Sequence, residues 1–358
     1  MKPTFNELRV CDIRQETEDT VSIAFEVPGE LKADYAYDAG QYLTLRTEID
    51  GEDVRRSYSI CSGEHEDELR VAVKKVPGGK FSTFANEKLK TGDVLHVMTP
   101  IGGFTTKFDT STAKSFLFFA AGSGITPVIS LIKSILHSAP KSEVALVYGN
   151  KTLDSVIFRE AIEDLKNTYM NRFSVLHVFS REKIGNRLQD GRLDKDRILN
   201  IHHAFFEHGT VDEIFVCGPE PIIYAVKDAY GELDYDENKV RFELFTTPGE
   251  SNEKRKVEHR EQGPRIDANV KIILDGEETL LDLDSDGDNI LEAAQKAGAD
   301  VPFSCKGGVC CTCRAKILKG TAKMDVNYAL EDDEVADGYI LTCQSHPTSD
   351  ELIVSYDD

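Results

Sequence analysis

Four cysteines stand at spacings suited to an inorganic cluster: Cys305, Cys310 and Cys313 form C-x4-C-x2-C, and Cys343 follows thirty residues later. A [2Fe–2S] cluster needs four thiolates, and one loop can supply three while a distant strand end supplies the fourth. The loop carries Gly307 and Gly308, where backbone must wrap closely around a bulky core, and its amides can hydrogen-bond sulfur. Zinc also takes four thiolates, but usually from paired C-x2-C knuckles. Here one C-x2-C pair and a lone fourth cysteine favour the cluster, and Cys311 is left over as a non-ligand. Cys11, Cys61 and Cys217 are scattered singly, so the eight cysteines form no disulfide framework and indicate a reducing, cytoplasmic compartment.

A second set of chemistry-bearing residues lies earlier in the chain. Arg56-Ser57-Tyr58-Ser59 offers an Arg to pair with a pyrophosphate, a Tyr to pack on an isoalloxazine and a Ser hydroxyl to reach its N5. Gly78-Gly79-Lys80-Phe81-Ser82-Thr83 opens a helix whose amides and hydroxyls suit a phosphate. Gly122-Ser123-Gly124-Ile125-Thr126-Pro127 follows an apolar strand and precedes a helix, a turn that can lay backbone against a pyrophosphate. Pro127 stands where G-x-G-x-x-G has its last glycine, so the usual dinucleotide fingerprint is not met. Cys217-Gly218-Pro219 ends another strand with the shape of a loop closing on a ring. Singly, each is an ordinary turn or strand–helix connection; their order gives them weight.

Other features carry less chemistry. Residues 282–288 begin like a calcium loop, but position twelve is Ala293, where a bidentate Glu is required. The acidic run is expected instead to precede a helix, whose N-terminus favours negative charge. The net charge is -21, and residues 266–358 hold 20 Asp/Glu against 7 Lys/Arg. That argues against nucleic acid and for docking on a basic protein face. The apolar stretch 115–136 is long enough for a membrane span. Gly122, Gly124, Pro127 and Lys133 interrupt it, so a buried strand, a glycine turn and a helix fit better, and no membrane association is expected. The first twelve residues show no secretory signal.

These groups need a scaffold of two or three domains in 358 residues. Residues 1–108 read as short alternating strands such as 42–46 and 69–73, separated by glycine turns: an antiparallel β-barrel. In 109–247, apolar strands at 116–120, 144–148, 174–178 and 213–216 alternate with helical patterns at 126–136 and 156–165, which predicts an α/β domain with a parallel sheet. Residues 248–265 are polar and charged, a linker. The segment 266–358 is strand-rich, with a hairpin around Asp275-Gly276 and one helix over 289–297.

Taken together, RSYS at 56–59, GSGITP at 122–127, CGP at 217–219 and the four cysteines resemble the ferredoxin–NADP reductase superfamily, fused to a C-terminal plant-type ferredoxin. The resemblance covers essentially the whole chain. It implies a flavin-binding barrel, a nicotinamide-binding α/β domain and an α+β ferredoxin domain of β-grasp type. Arg56, Ser57, Tyr58 and Ser59 would bind the flavin, with Gly79, Ser82 and Thr83 at its phosphates. Gly122, Gly124 and Thr126 would meet the dinucleotide pyrophosphate, Cys217 and Gly218 would lie beside the nicotinamide, and Ser59 and Cys217 would flank hydride transfer. Ser180-Arg181 matches the segment that grips a 2′-phosphate, with Lys151 nearby, which favours NADPH over NADH. FAD is the usual flavin, FMN the alternative. Residues 303–320 and 324–345 are similar to the reductase components of phenylacetyl-CoA epoxidases, which implies a diiron oxygenase partner docking on the acidic ferredoxin domain. The other readings are a reductase for a different oxygenase or hydroxylase, and a redox sensor; a sensor needs no hydride source.

Overall fold

The computed structural model describes residues 4–206, 209, 211–245 and 266–357. The linker expected at 248–265 lies outside the described residues. The chain divides into two compact units, one over Phe5–Val54 and Tyr58–Phe245 and a second that includes residues 266–357.

The first unit begins with six strands, β1 (Phe5–Thr17), β2 (Thr20–Glu26), β3 (Tyr42–Ile49), β4 (Glu52–Ser59), β5 (Leu69–Lys74) and β6 (Val94–Met98). They form one sheet in the order β4-β3-β6-β1-β2-β5, with antiparallel pairing of β1 to β2 and β6, β2 to β5, and β3 to β6. A bridge from Ile60 to Val71 draws the ends of that order together. Helix α1 (Lys80–Glu87) packs Phe81 and Ala85 into the barrel core beside Leu69, Val71 and Val73. Strand alternation sends Ala72 to the opposite face. There Ala72 joins Ala39, Cys61 and Phe104 in the core of the following half, so barrel and α/β half share apolar packing.

That half is a five-stranded parallel sheet of β7 (Ser115–Ala121), β8 (Glu143–Asn150), β9 (Phe173–Phe179), β10 (Glu213–Gly218) and β11 (Val240–Leu244), in the order β11-β10-β7-β8-β9. Helices α2 (Ile125–Ser138), α3 (Arg159–Thr168), α4 (Lys195–Phe205) and α5 (Glu220–Glu232) make the crossovers. The long apolar stretch at 115–136 is thus a buried strand, a short 3-10 turn at Gly122–Gly124 and a buried helix. No helix among the described residues is long and apolar enough to cross a membrane. The helix expected from residue 156 starts later, at Arg159. Val156, Ile157 and Phe158 are core residues, but Phe158 has φ 60°, which breaks helical continuity while burying all three.

Helix α2 is fastened to the barrel along one edge. Ser130, Lys133, Ser134 and His137 follow the i, i+3, i+4, i+7 spacing that aligns side chains on one helix face. The Ser130 hydroxyl donates to the Ser62 carbonyl (2.6 Å), and the Ser134 hydroxyl accepts from the Glu64 amide (2.9 Å). Lys133 pairs with Glu66 (2.9 Å), and the His137 ring stacks on His65 with centroids 3.9 Å apart.

The second unit has a mixed sheet of order β13-β12-β18-β14-β16, built from β12 (Asp267–Leu274), β13 (Glu277–Asp284), β14 (Arg314–Lys319), β16 (Tyr339–Leu341) and β18 (Glu351–Ser355). β15 (Ala322–Met324) and β17 (Ser345–Pro347) form a two-stranded annex. The hairpin turns at Asp275-Gly276, and β12 pairs parallel with β18, so the chain's last strand lies beside the unit's first. Helix α6 (Ile290–Lys296) lays Ile290, Leu291 and Ala294 on that sheet, capped by Asn289, whose side chain accepts from the Glu292 amide; α7 (Asp332–Ala336) is a short surface helix. This is the expected α+β unit of β-grasp type.

Because Ser134 is fully buried, Ser134→Ala leaves the Glu64 amide without its acceptor. Glu64 itself is exposed, so water can reach its amide, and the variant should unfold with about 0.5–1.5 kcal/mol less stability in urea titrations, the usual net worth of one hydrogen bond. An unchanged midpoint would show that the edge contact carries no stability.

Candidate functional site

The strand order of the parallel sheet reverses between β7 and β10, and in open α/β sheets ligands bind beyond the carboxyl ends of strands at that switch point. Two of the sequence motifs arrive there. β7 leads into Gly122–Gly124 and β10 into Cys217-Gly218, with Ala120 in register with Cys217. A Cβ on Gly124 would stand 2.1 Å from the Cys217 carbonyl oxygen, so this glycine is demanded by the neighbouring strand end. Gly122 has φ +55° and open space where a side chain would be, which suits backbone approach by a ligand. Its carbonyl is held by the Tyr148 hydroxyl at 2.9 Å. Thr126 is buried, and its hydroxyl donates to the Ser123 carbonyl (3.1 Å), so it braces the turn. No side chain caps α2, leaving its first amides for an anion.

The barrel brings Ser59 to the same place. Glu243 links it to Cys217: its carboxylate accepts from the Ser59 hydroxyl (3.3 Å) and lies 3.9 Å from the Cys217 thiol. β10 and β11 are parallel with Cys217 and Glu243 in register, which puts both side chains on one face. Ser59 and Cys217 are buried. Burial pushes the Glu243 carboxyl up to about 7, against the lowering effect of its Ser59 and Cys217 hydrogen bonds. Burial, with the Glu243 charge beside it, pushes the Cys217 thiol well above its ordinary range. Cys217 is therefore a neutral thiol here, and Glu243 is the group that can gain or lose a proton near neutrality. Glu243 was not singled out in the sequence. Its only local signal is a carboxylate within the apolar run Phe242–Phe245.

The other flavin-motif residues are more spread out. Tyr58 is half-buried with its ring 5.4 Å from Phe81, Ser57 is half-buried and Arg56 is exposed. α1 starts at Gly79 without a side-chain cap, so its first-turn amides suit a phosphate. Thr83 is half-buried there, whereas Ser82 is buried and engaged with Val76 N and Gly79 O. At the carboxyl ends of β8 and β9, Ser180 N donates to Asn150 O and Arg181 N to Lys151 O, both at 2.9 Å. Ser180 and the two cations Lys151 and Arg181 are exposed side by side, a setting for a phosphate dianion. Phe245 packs on the α/β core, and Phe242 lies under the Lys227 ammonium at 4.8 Å.

In the second unit, Cys305, Cys310, Cys313 and Cys343 are brought together across two segments. Interactions run from Cys310 to Cys305, from Cys305 to Cys343 and from Cys343 to Cys313. Among the described residues no three His, Cys, Asp or Glu are set to hold one metal ion. The Cys305 contact and burial push the Cys310 thiol far up, so in the absence of metal it holds its proton, which a bound metal ion would displace. Thr342 donates from both amide (3.1 Å) and hydroxyl (3.0 Å) to the Cys313 carbonyl, fixing the distant cysteine to the loop. Cys311 points away, donating to the Ala329 carbonyl (3.2 Å). The four thiols and the Gly307 amide on Cys305 sulfur (3.3 Å) fit the donor set of a [2Fe–2S] cluster.

The raised acidity constant of Glu243 carries a stability signature. An acid held above its unfolded value of 4.5 contributes stability fully below that pH and loses it as pH rises through about 7. Glu243→Gln should therefore flatten the decline of Tm across that window and be the more stable protein at pH 8, measured by calorimetry. Parallel Tm curves for parent and variant would show an ordinary carboxylate.

Residues 7–106 match the model of the oxidoreductase FAD-binding domain, 118–228 that of the oxidoreductase NAD-binding domain, and 272–348 that of the 2Fe-2S iron-sulfur cluster binding domain. The chain is 39% identical to a component of the 1,2-phenylacetyl-CoA epoxidase of Escherichia coli strain K12, over 99% of this chain and 98% of that one. It is 34% identical to the ferredoxin reductase component of 3-ketosteroid-9-alpha-monooxygenase from Rhodococcus rhodochrous, over 98% and 96% of the two chains. Among solved structures, phthalate dioxygenase reductase aligns with TM-score 0.58 over 98% of both chains at 21% identity. The chain thus belongs to the family of iron–sulfur flavoprotein reductases, carrying FAD, a [2Fe–2S] cluster and a pyridine-nucleotide site, that serve as electron-transfer components of oxygenase systems.

Proposed function

We propose that this chain is the cytoplasmic reductase of a diiron oxygenase that epoxidises phenylacetyl-CoA, drawing on NADPH in preference to NADH. The observation that carries the hydride-transfer part is the meeting of Ser59, Glu243 and Cys217 beyond the switch point. A bound FAD would supply two-electron and one-electron chemistry in one group, and a [2Fe–2S] cluster held by Cys305, Cys310, Cys313 and Cys343 would supply one-electron chemistry. The chain's own groups bind and orient. Ser59 presents a hydroxyl and Cys217 a neutral thiol on either side of Glu243, which holds or yields a proton at its carboxylate. Arg56, Ser57, Tyr58, Gly79 and Thr83 hold the flavin, with Ser82 bracing the α1 turn. Gly122, Gly124, Thr126 and Gly218 shape the dinucleotide cradle, Ser180, Arg181 and Lys151 meet the 2′-phosphate, and Cys305, Cys310, Cys313 and Cys343 ligate the cluster. Domain boundaries at 108, 247 and 265 follow.

The choice of partner rests on the 39% identity to the Escherichia coli epoxidase component across nearly the full length. Relatives named for ketosteroid and glycine betaine monooxygenases match at 34% and 30%, which keeps a different oxygenase as the second reading. Docking falls to the acidic helix α7. Glu334 is committed there, pairing with Arg314 and closing a capping box on Glu331, whereas Asp332 and Asp333 are exposed.

Anaerobic titration with NADPH should bleach the flavin and the cluster absorbance together. A cluster that stays oxidised beside a reduced flavin would refute the relay. Reconstitution with the phenylacetyl-CoA, ketosteroid and glycine betaine oxygenases should give turnover with the first; turnover with another alone moves the assignment there. Asp332→Asn/Asp333→Asn should slow electron delivery severalfold at low ionic strength and little at high salt. An unchanged rate at low salt would remove α7 from the docking face.

A further inference from the structure

Gln344 follows the fourth cysteine and is almost fully buried, with 1% of its surface exposed. Its Nε2 donates to the Lys306 carbonyl (3.0 Å) and to the Cys343 carbonyl (2.7 Å), and lies 3.5 Å from the Cys343 sulfur. Only an NH2 group can face two carbonyl oxygens, so the orientation of the amide is fixed by chemistry. Its Oε1 is buried without a hydrogen-bond partner among the described residues. The orphan oxygen is a cost of keeping an amide here, one that the contacts of its N–H group must offset.

The side chain passes beneath the ligand loop. At Gly308, where φ is +73°, a Cβ would come within 3.1 Å of Gln344 Cγ. The Gln344 main-chain carbonyl accepts from the Asp325 amide at 2.7 Å. One residue therefore ties the loop bearing Cys305 and Cys310 to the segment bearing Cys343, and keeps an N–H beside a ligand sulfur.

We propose that Gln344 is a positioning residue of the cluster that also sets its reduction potential. The inference rests on the reading of the four cysteines as cluster ligands. Nε2 has two hydrogens and three acceptors. A free thiol is the weakest of the three, but a metal-bound thiolate is anionic and competes for the donor. An N–H directed at ligand sulfur favours the more negative, reduced state and raises the potential, as hydrogen bonds to cluster sulfurs do. The side chain thereby makes the cluster a better acceptor for electrons arriving from the flavin.

The test is a redox titration of the full-length protein, followed by EPR of the reduced cluster, for parent, Gln344→Met and Gln344→Glu. Met keeps length and loses the donor, so it carries the test; Glu keeps shape, but as the neutral acid it retains an O–H donor and as a carboxylate its charge alone lowers the potential. Both should retain the cluster signal, and Gln344→Met should have a lower potential, so that at a fixed poise the ratio of reduced to oxidised cluster falls severalfold. Equal potentials in parent and Gln344→Met would overturn the proposal, because a packing role alone would leave them equal. Should both variants lose the cluster, the parent grown with side-chain 15N-glutamine decides. A 15N coupling in the pulsed EPR spectrum of the reduced cluster supports the contact, and its absence refutes it. A parent without a [2Fe–2S] signal would instead overturn the ligand reading on which the inference rests.

Discussion

The larger unit depends on how closely the backbone at Gly124 lies against the backbone at Cys217. Any side chain at Gly124 would drive the glycine turn off the end of β10, and three things would be lost together. The turn would no longer present Gly122 to a ligand, Cys217 would leave its register with Ala120, and the neighbouring register of Cys217 with Glu243 would be disturbed. The switch point of a parallel sheet provides a crevice in many proteins. Here the crevice has its particular shape because two strand ends touch across it without intervening side chains.

That contact also explains the electrostatics. With β10 and β11 in register and the barrel strand β4 bringing Ser59 alongside, the Glu243 carboxylate is left with a hydroxyl, a thiol and little water. Neither neighbour bears a positive charge, so nothing offsets desolvation strongly enough to keep the acid in its ordinary range. A lysine or arginine in the same position would have made Glu243 a permanent anion. The choice of neutral partners is what makes it a titrating group near neutral pH.

How much of this was legible depended on how local each cause is. The four spaced cysteines could be picked out directly because cluster geometry imposes spacing on one short loop and one strand end, and the fold brings those four together while Cys311 turns to the Ala329 carbonyl. The glycines of the turn were legible as a turn, but the reason for Gly124 was not, since the atom it would strike belongs to Cys217. Glu243 was invisible for the same reason: its partner Ser59 lies 184 residues away, and only the parallel register and the barrel bring them together. The helix expected from Val156 illustrates a different failure. Val156 and Ile157 are buried at spacings a helix would also produce, yet the left-handed Phe158 buries them in an extended turn, and apolar periodicity does not distinguish the two.

The fastening of α2 to the barrel has an evolutionary corollary. The segment 62–66 connects two strands, and connecting loops ordinarily accumulate insertions freely. In this chain four of its five positions answer to four residues on one helical edge: Ser62 to Ser130, Glu64 to Ser134, His65 to His137 and Glu66 to Lys133. Adding or deleting a single residue would break several of those matches at once, with no compensating slide, because the helix repeat and the loop spacing differ. A stretch of surface loop is thus bound to a fixed length, and its history of substitution should look like that of a core strand.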